Sequence, residues 1–519
     1  MRASFLCLAF VSCLGLLHAQ GPPDIEWQRC LGGTGLDREG GVLELPNGEL
    51  LLTVNPTAGG GNVPGPVQVG GDVWLLRLSQ TATILQQRLI GGPGVDGGGQ
   101  LFQAADGGYF MLGGTTANGG DVSGHHGEND LWLVKLDAGL NILWQRCYGG
   151  SGNEYGKLIS AADGGFFLVG ATQSEDGDVP LNRGNFDAWA MRISESGTVL
   201  WSRTYGGTND DRFRSAMLNS EGQLICVGYS WSADGDIASN DGLADAWIAR
   251  IDQSNGDLIE YVLFGGTGYE SANEVIITPN GDLLIAGVTD TNDGDFTGYN
   301  GGVGDAFLSR FSSNLNLIWA KCFGGSSAEE FNDIIPGPDG GVVCAGFTGS
   351  NNGDVIGNQG DADLWITGIN GNGDLLWQHC YGGAGNDRCY SVQRVQDQGL
   401  VAMGTTNSPN GDVSGFNGGF SDAWVVRLSE ETVGVLEQRS EQRLFRYPNP
   451  CTDLLQVVNP SPTGALLPWR ITDAQGRTVL TGTLSGSLGQ VPVATLATGP
   501  YTVGLEWNGQ WVTAPFVKE

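Results

Sequence analysis

The chain has 519 residues, including 87 glycines, 20 prolines and 15 tryptophans, and a formal net charge of −32. Hydrophobic residues make up 40%, enough for a core, so wholesale disorder is excluded. A polyanion of this strength is repelled by nucleic acid and by anionic membrane surfaces, and neither is an expected partner.

Residues 1–19 read as a secretory signal peptide. Arg2 supplies the positive start, residues 3–17 the apolar stretch, and Leu17-His18-Ala19 a small-residue cleavage site. The stretch is too short to span a bilayer as a helix, and no later segment reads as transmembrane. Cleavage removes Cys7, Cys13 and His18, leaving eight cysteines and three histidines.

Residues 20–436 repeat seven times. The first glycine of a Gly-Gly pair falls at 32, 91, 149, 206, 265, 324 and 382, a period of 57 to 59 residues that marks a repeat architecture. Unit three shows four strand-like runs: 155–160, 166–169, 188–193 and 199–203. Asp163-Gly164-Gly165 turns the first hairpin and Glu195-Ser196-Gly197 the second; glycine provides the positive φ that tight hairpins need. Four antiparallel strands per unit, seven units and no helical period predict an all-β, seven-bladed β-propeller. An open solenoid would need polar end caps. Here residues 25–30 are an orphan fourth strand and unit seven stops after its third, at 423–428, so the two ends can complete one blade and close a ring.

The repeated pattern D-G-G, G-x-T, D-A-W-x-x-R and W-x-x-x-Y-G-G resembles the bacterial seven-bladed propeller repeats found in secreted proteins. That resemblance implies the fold and leaves the ligand open, because propellers host many functions.

Reading the repeat in columns separates architecture from candidate sites. An acid always stands four residues after the second glycine: Asp37, Asp96, Glu154, Asp211, Glu270, Glu329 and Asp387. Such a column is either a cation-attracting ring on one face or a set of turn acceptors and partners for the strand-three bases Arg77, Lys135, Arg192, Arg250, Arg310 and Arg427; recurrence in every unit favours architecture. The tryptophans of strands three and four are expected to pack blade against blade. The long loop between strands two and three is chemically richer. In units three to five it carries Asp176/Asp178/Asp187, Asp234/Asp236/Asp245 and Asp293/Asp295/Asp305. Three carboxylates plus loop carbonyls approach the oxygen count of Ca²⁺, which makes these loops candidate calcium sites, although Asx turns alone also account for such acids. Positions that vary between units are the better guide to a ligand. His125, His126, Arg183, Trp231, Tyr299 and Phe416 lie in these loops and are the candidate ligand-binding residues. No catalytic motif appears: there is no H-E-x-x-H, G-x-S-x-G or P-loop, and His379 falls in a strand column otherwise held by Arg29, Arg146 and Arg203. The cysteines share columns on separate blades, which predicts buried thiols and no disulfide framework.

After a linker at 437–446 the glycine period ends. Residues 447–519 carry Tyr447-Pro448-Asn449-Pro450, then Asp473-Ala474-Gln475-Gly476-Arg477, then a strand with Gly499 and Tyr501, and end in Phe516-Val517-Lys518. Short alternating strands and turns predict a small β-sandwich. These motifs resemble the type A C-terminal sorting domain of the Gram-negative type IX secretion system. The resemblance implies a protein that passes the periplasm, is handled by that machinery and crosses the outer membrane to be released or displayed.

The combined expectation is a secreted or surface-bound propeller used for binding or adhesion, with a polysaccharide or a protein as ligand. The alternatives are an extracellular carbohydrate-active enzyme using carboxylates on the propeller face and a structural component of an extracellular layer.

Overall fold

Each repeat folds as one antiparallel four-stranded sheet, and there are seven of them. The computed structural model describes residues 18–240, 242–337, 340–435, 454–458, 467–473, 477–484, 488–507 and 510–518. The expected apolar stretch of the signal peptide, the linker at 437–446 and Tyr447-Pro448-Asn449-Pro450 lie outside these residues.

Blade three is typical: Glu154–Ser160, Phe166–Thr172, Asp187–Ile193 and Val199–Tyr205 pair in sequence order. Its second and third strands are buried along their whole length, whereas the fourth alternates between half-buried and exposed. The middle strands are covered on both faces by neighbouring blades, so they read as continuous apolar runs; the outer strand keeps one face in water. Trp132 of blade two packs on Leu51, Val73 and Leu75 of blade one. Trp247 of blade four packs likewise on Phe167, Val169 and Ala188 of blade three. The tryptophan columns are therefore interblade packing, as expected.

The turn before the fourth strand needs a left-handed residue. Gly197, Gly256 and Gly373 provide it, but blades one, two and five use Ala82, Leu140 and Leu315 at φ of 60°, 62° and 57°. Leu140 and Leu315 are buried in the cores of their blades, and that burial offsets the backbone strain.

The ring closes as the orphan strand predicts. Ile25–Leu31 pairs antiparallel with Asp422–Leu428, with Gln28 opposite Val426 and Cys30 opposite Trp424. Trp424 Nε1 donates to Gln28 Oε1 at 2.8 Å, the same bond that Trp132 makes to Gln145 and Trp365 to Gln378 at 2.9 Å. The seam thus has ordinary blade geometry. Seven of the cysteines are described, and all are buried free thiols.

Blades meet at the Gly-Gly corners. The recurring acids are buried there and do not ring the channel mouth. Asp211 Oδ2 accepts the Gly207 N–H at 2.7 Å and Glu329 Oε2 the Gly325 N–H at 2.8 Å, with equivalents at the other five corners. Hydroxyls from the second strand complete them, such as Thr348 Oγ1 to Glu329 at 2.8 Å. The Asp that opens the preceding blade's third strand faces this acid across the first glycine. A Cβ built on Gly382 would lie 2.5 Å from Asp363 Oδ1 and 2.6 Å from Asp387 Oδ2. The strand-three bases are engaged elsewhere, with hairpin acids: Lys135 with Asp106 at 2.7 Å and Arg310 with Asp282 at 2.6 Å.

In the C-terminal unit, Leu454–Val458 pairs with Leu488–Pro492, and Thr478–Leu484, Leu467–Asp473, Gly499–Trp507 and Gln510–Lys518 form a second sheet in that order. Leu455 and Val491 of the first sheet share one core with Trp469, Ile471, Val503, Leu505 and Phe516 of the second. This is the expected small β-sandwich. Gly499 pairs with Lys518 and Tyr501 with Phe516, their rings 5.7 Å apart, so these sorting-motif residues meet on the two last strands. Arg477 Nε donates to Asp473 Oδ2 at 2.8 Å across the preceding turn.

Two outcomes follow from the corners. Gly382→Ala forces a methyl group between two carboxylates and is expected to lower stability by about 1–3 kcal/mol in chemical unfolding. Burial, with Asp387 and Asp412 adding repulsion, pushes the Asp363 carboxyl up to about 7. Asp305 and Glu270 also reach about 7, and Asp37 and Asp187 about 6, mainly through burial. A folded pKa above the unfolded ~4 contributes stability that is full below about 4 and is lost as pH rises from there through the folded values. Exposed acids such as Asp106, held low by hydrogen bonds from Lys135 and Gly108, act oppositely below pH 4. The melting temperature should therefore peak near pH 4 and fall until about pH 7, with Asp363→Asn raising it more at pH 7 than at pH 4.

Candidate functional site

The long loops and the Gly-Gly corners lie at the same ends of the blades. Asp121 Oδ2, for example, accepts the Gly91 N–H at 3.2 Å. The candidate calcium ligands accept loop or corner N–H groups, while Asp187 Oδ1 and Asp305 Oδ1 are buried without a hydrogen-bond partner among the described residues. Asp176, Asp234 and Asp293 cap Ser151, Thr208 and Thr267 N–H at 2.7, 2.8 and 2.8 Å. Asp178, Asp236 and Asp295 accept Gly149, Gly206 and Gly265 N–H at 3.3, 3.2 and 3.1 Å. Asp187 and Asp305 accept loop N–H groups of Arg183 and Asn300, and Asp245 faces Glu270 across Gly265. Among the described residues, no group of three or more His, Cys, Asp or Glu side chains is arranged to hold a metal ion.

Five of the candidate ligand residues stay apart. His126 Nδ1 lies 2.7 Å from Asp130 Oδ2, and His125 bonds Asn118 within the same loop. Arg183 Nη1 donates to Asp236 of the next blade at 2.6 Å. Tyr299 packs on the core of its blade, and Phe416 is half-buried in the loop of blade seven. Loop-tip asparagines staple the loops down, as Asn240 Nδ2 does to Ser230 O at 2.7 Å.

Trp231 is different, because the structure builds a continuous shelf around it. Its ring, 37% exposed, lies 6.2 Å from Tyr269, and Tyr269 lies 5.7 Å from Tyr229. Tyr229 OH reaches Asp210, which holds Arg212 by two bonds of 2.7 Å. The Arg212 guanidinium stacks 3.8 Å over the Phe186 ring, and Tyr155, 49% exposed, stands 6.0 Å beyond. The Arg214 guanidinium lies 5.4 Å from the Tyr229 ring. Two groups of rings, Trp231–Tyr269–Tyr229 and Phe186–Tyr155, thus flank Arg212 across blades three, four and five.

The first strands of neighbouring blades face one another around the central channel. Within them the first and third residues after the recurring acid face the channel, while the acid and the second residue point into the blade; in blade four Asp211 and Phe213 are buried, Arg212 is half-buried and Arg214 exposed. The first channel position reads Arg38, Gly97, Tyr155, Arg212, Ser271, Glu330 and Arg388. It varies from blade to blade, and that irregularity was the available signal for the shelf. Lys157 Nζ of blade three bonds Glu274 Oε2 of blade five at 2.7 Å, and Ser215 of blade four donates to the same carboxylate. Asp333 joins this cluster, its carboxyl raised by burial and by Glu274. Nearer the mouth, burial pushes Glu39 up to about 7 and raises Glu330.

Fold and site together define a seven-bladed propeller whose one face carries a braced aromatic and arginine shelf, open to solvent at Trp231 and Tyr155 and buried at Phe186 and Tyr229. Residues 446–519 match the secretion system C-terminal sorting domain. The protein is therefore exported through type IX secretion to the cell surface or the extracellular space. No helix among the described residues is long and apolar enough to cross a membrane. The chain is 26% identical over 252 residues to the regulatory protein FlaEY of Caulobacter vibrioides, a match covering 46% of this chain and 25% of that protein. Among solved structures, puromycin hydrolase is 13% identical with a TM-score of 0.43, over 82% of this chain and 59% of that one. PorZ, a surface component of the type IX secretion system of Porphyromonas gingivalis, is 11% identical with a TM-score of 0.22, over 93% and 81%.

Removing residues 446–519 should leave the protein in the periplasm, as cell fractionation will read. Melting in millimolar Ca²⁺ against EDTA tests the calcium expectation: a bound ion raises the melting temperature in Ca²⁺, and equal values in the two would overturn it.

Proposed function

We propose that this is a surface-displayed or released binding module, and that its ligand is a polysaccharide held across blades three to five. The shelf of Tyr155, Arg212, Tyr269 and Trp231, backed by the buried rings of Phe186 and Tyr229, supports this reading. Sugar rings present apolar C–H faces that stack on aromatic rings, and their hydroxyl edges seek polar groups. Tyr155 and Trp231 offer open rings at the two ends of the shelf. The inner members are fixed by stacking and by the Arg212–Asp210 fork, so little conformational freedom is lost on binding. A protein ligand would use the same rings as anchors, and it is the second choice because the shelf is narrow and polar at its edges.

The enzyme reading draws on Glu39, Glu330 and Asp333, whose carboxyls burial raises near the channel. Paired carboxyl groups with separated pKa values can run glycoside hydrolysis. Release of reducing ends from a bound polysaccharide, abolished by Glu330→Gln, would establish it.

Trp231→Ala and Tyr155→Ala should each weaken polysaccharide binding about 10-fold, equal to ~1.4 kcal/mol, with the melting temperature unchanged. A glycan array followed by calorimetry measures this; unaltered affinity in both variants would refute the shelf as the binding surface.

A further inference from the structure

We infer that the polysaccharide taken by this face bears uronate sugars, their carboxylates received by Arg38, Arg214 and Arg388 at the channel mouth. This rests on the binding reading above and adds the ligand's charge to it. The chain has 25 Lys and Arg against 57 Asp and Glu, and most of the described cations are paired with a carboxylate. Arg38, Arg214 and Arg388 are not: among the described residues none has a carboxylate oxygen within 4.0 Å. Arg29, Arg88 and Arg146 on fourth strands also lack a carboxylate, and of these six arginines Arg38, Arg214 and Arg388 are the ones carried on first strands.

All three come from first strands and from the two channel-facing positions. Their fields overlap. Arg214 and Arg388 both act on Glu330, whose Oε1 accepts Asn273 Nδ2 at 2.8 Å. Arg388 also acts on Tyr390, which feels Glu39, and Glu39 feels Arg38. Two of the guanidinium groups lie against rings, Arg388 4.1 Å over Phe347 and Arg214 5.4 Å from Tyr229. A stacked guanidinium has its flat face occupied and presents its N–H edge, which in Arg388 bonds Tyr390 and in both can bind a carboxylate.

The rings select the source of the carboxylate. A uronate carries its carboxylate at the edge of a pyranose, so the sugar face can lie on the shelf while the edge reaches Arg214. An acidic peptide has no such face to offer Tyr155 or Trp231. The net charge of −32 does not forbid the encounter, because charges beyond a Debye length of about 8 Å are screened at physiological ionic strength.

The test uses the full chain and one sugar in two charge states: polygalacturonate and its fully methyl-esterified form, with poly-glutamate as the third probe. Polygalacturonate should bind at least 10-fold more tightly than the ester. Arg214→Gln and Arg388→Gln should erase that difference, and Trp231→Ala should weaken both sugars alike. Equal binding of acid and ester by the wild-type chain overturns the inference while leaving the binding reading intact. Poly-glutamate binding as tightly as polygalacturonate overturns it in favour of an acidic peptide. No binding of either sugar or of any neutral glycan overturns both readings. The acid-to-ester comparison on the wild-type chain decides the matter even if an arginine variant fails to fold.

Discussion

The structure depends on one interaction made seven times: a buried carboxylate that accepts the N–H of the second glycine at each interblade corner. At that corner the chain leaves the outer edge of one blade and starts the inner strand of the next, exposing backbone donors where no strand can satisfy them. A charged acceptor is worth more than a neutral one there, and the first glycine has no side chain because two carboxylates occupy the space a Cβ would take. The third acid, at the start of the long loop, binds the first glycine's N–H and ties that loop to the corner. Much of the chain's negative charge is therefore internal wiring. Its cost is repulsion between acids held together out of water, which shows as carboxyl groups that ionise late.

This arrangement decides where specificity can arise. The second and third strands are buried between blades, and the corner positions must repeat. Along the first strand, alternate residues point into the blade and into the channel, so only the channel-facing ones vary without disturbing packing. It is there that Arg38, Tyr155, Arg212, Arg214, Glu330 and Arg388 interrupt an otherwise monotonous sequence. Lower down, the Lys157–Glu274 pair and Ser215 link blades three, four and five across the channel. The open chemistry is thereby confined to one mouth, next to the shelf that ends at Trp231.

Much of the fold was legible in the sequence. A period of 57 to 59 residues is long enough for four short strands and two tight turns, and the orphan strand before Gly32 declared how the ring closes. The tryptophan columns and the buried thiols were readable because residues repeated in every unit obey one packing rule. The site was less legible. His125, His126, Arg183, Tyr299 and Phe416 vary between units as ligand residues do, and the first four are held by their own loop, core or neighbouring blade. Arg212 and Tyr229 join the shelf through Asp210, two residues before Arg212, and through Phe186 of the preceding blade. The acid column was ambiguous for another reason: spacing puts a carboxylate near a turn but says nothing about whether water reaches it.

The sequence by itself determined the repeat, the strand count, the ring and the sorting domain, because periodicity and short motifs are local properties written along the chain. Tertiary structure alone decided which acids are buried, which arginines lack partners and which rings form one surface. Those properties depend on residues of neighbouring blades, about 58 positions apart, that meet only when the ring is closed. A column of identical acids can be read from one chain; whether it faces solvent or the seam between two blades is settled by what packs against it.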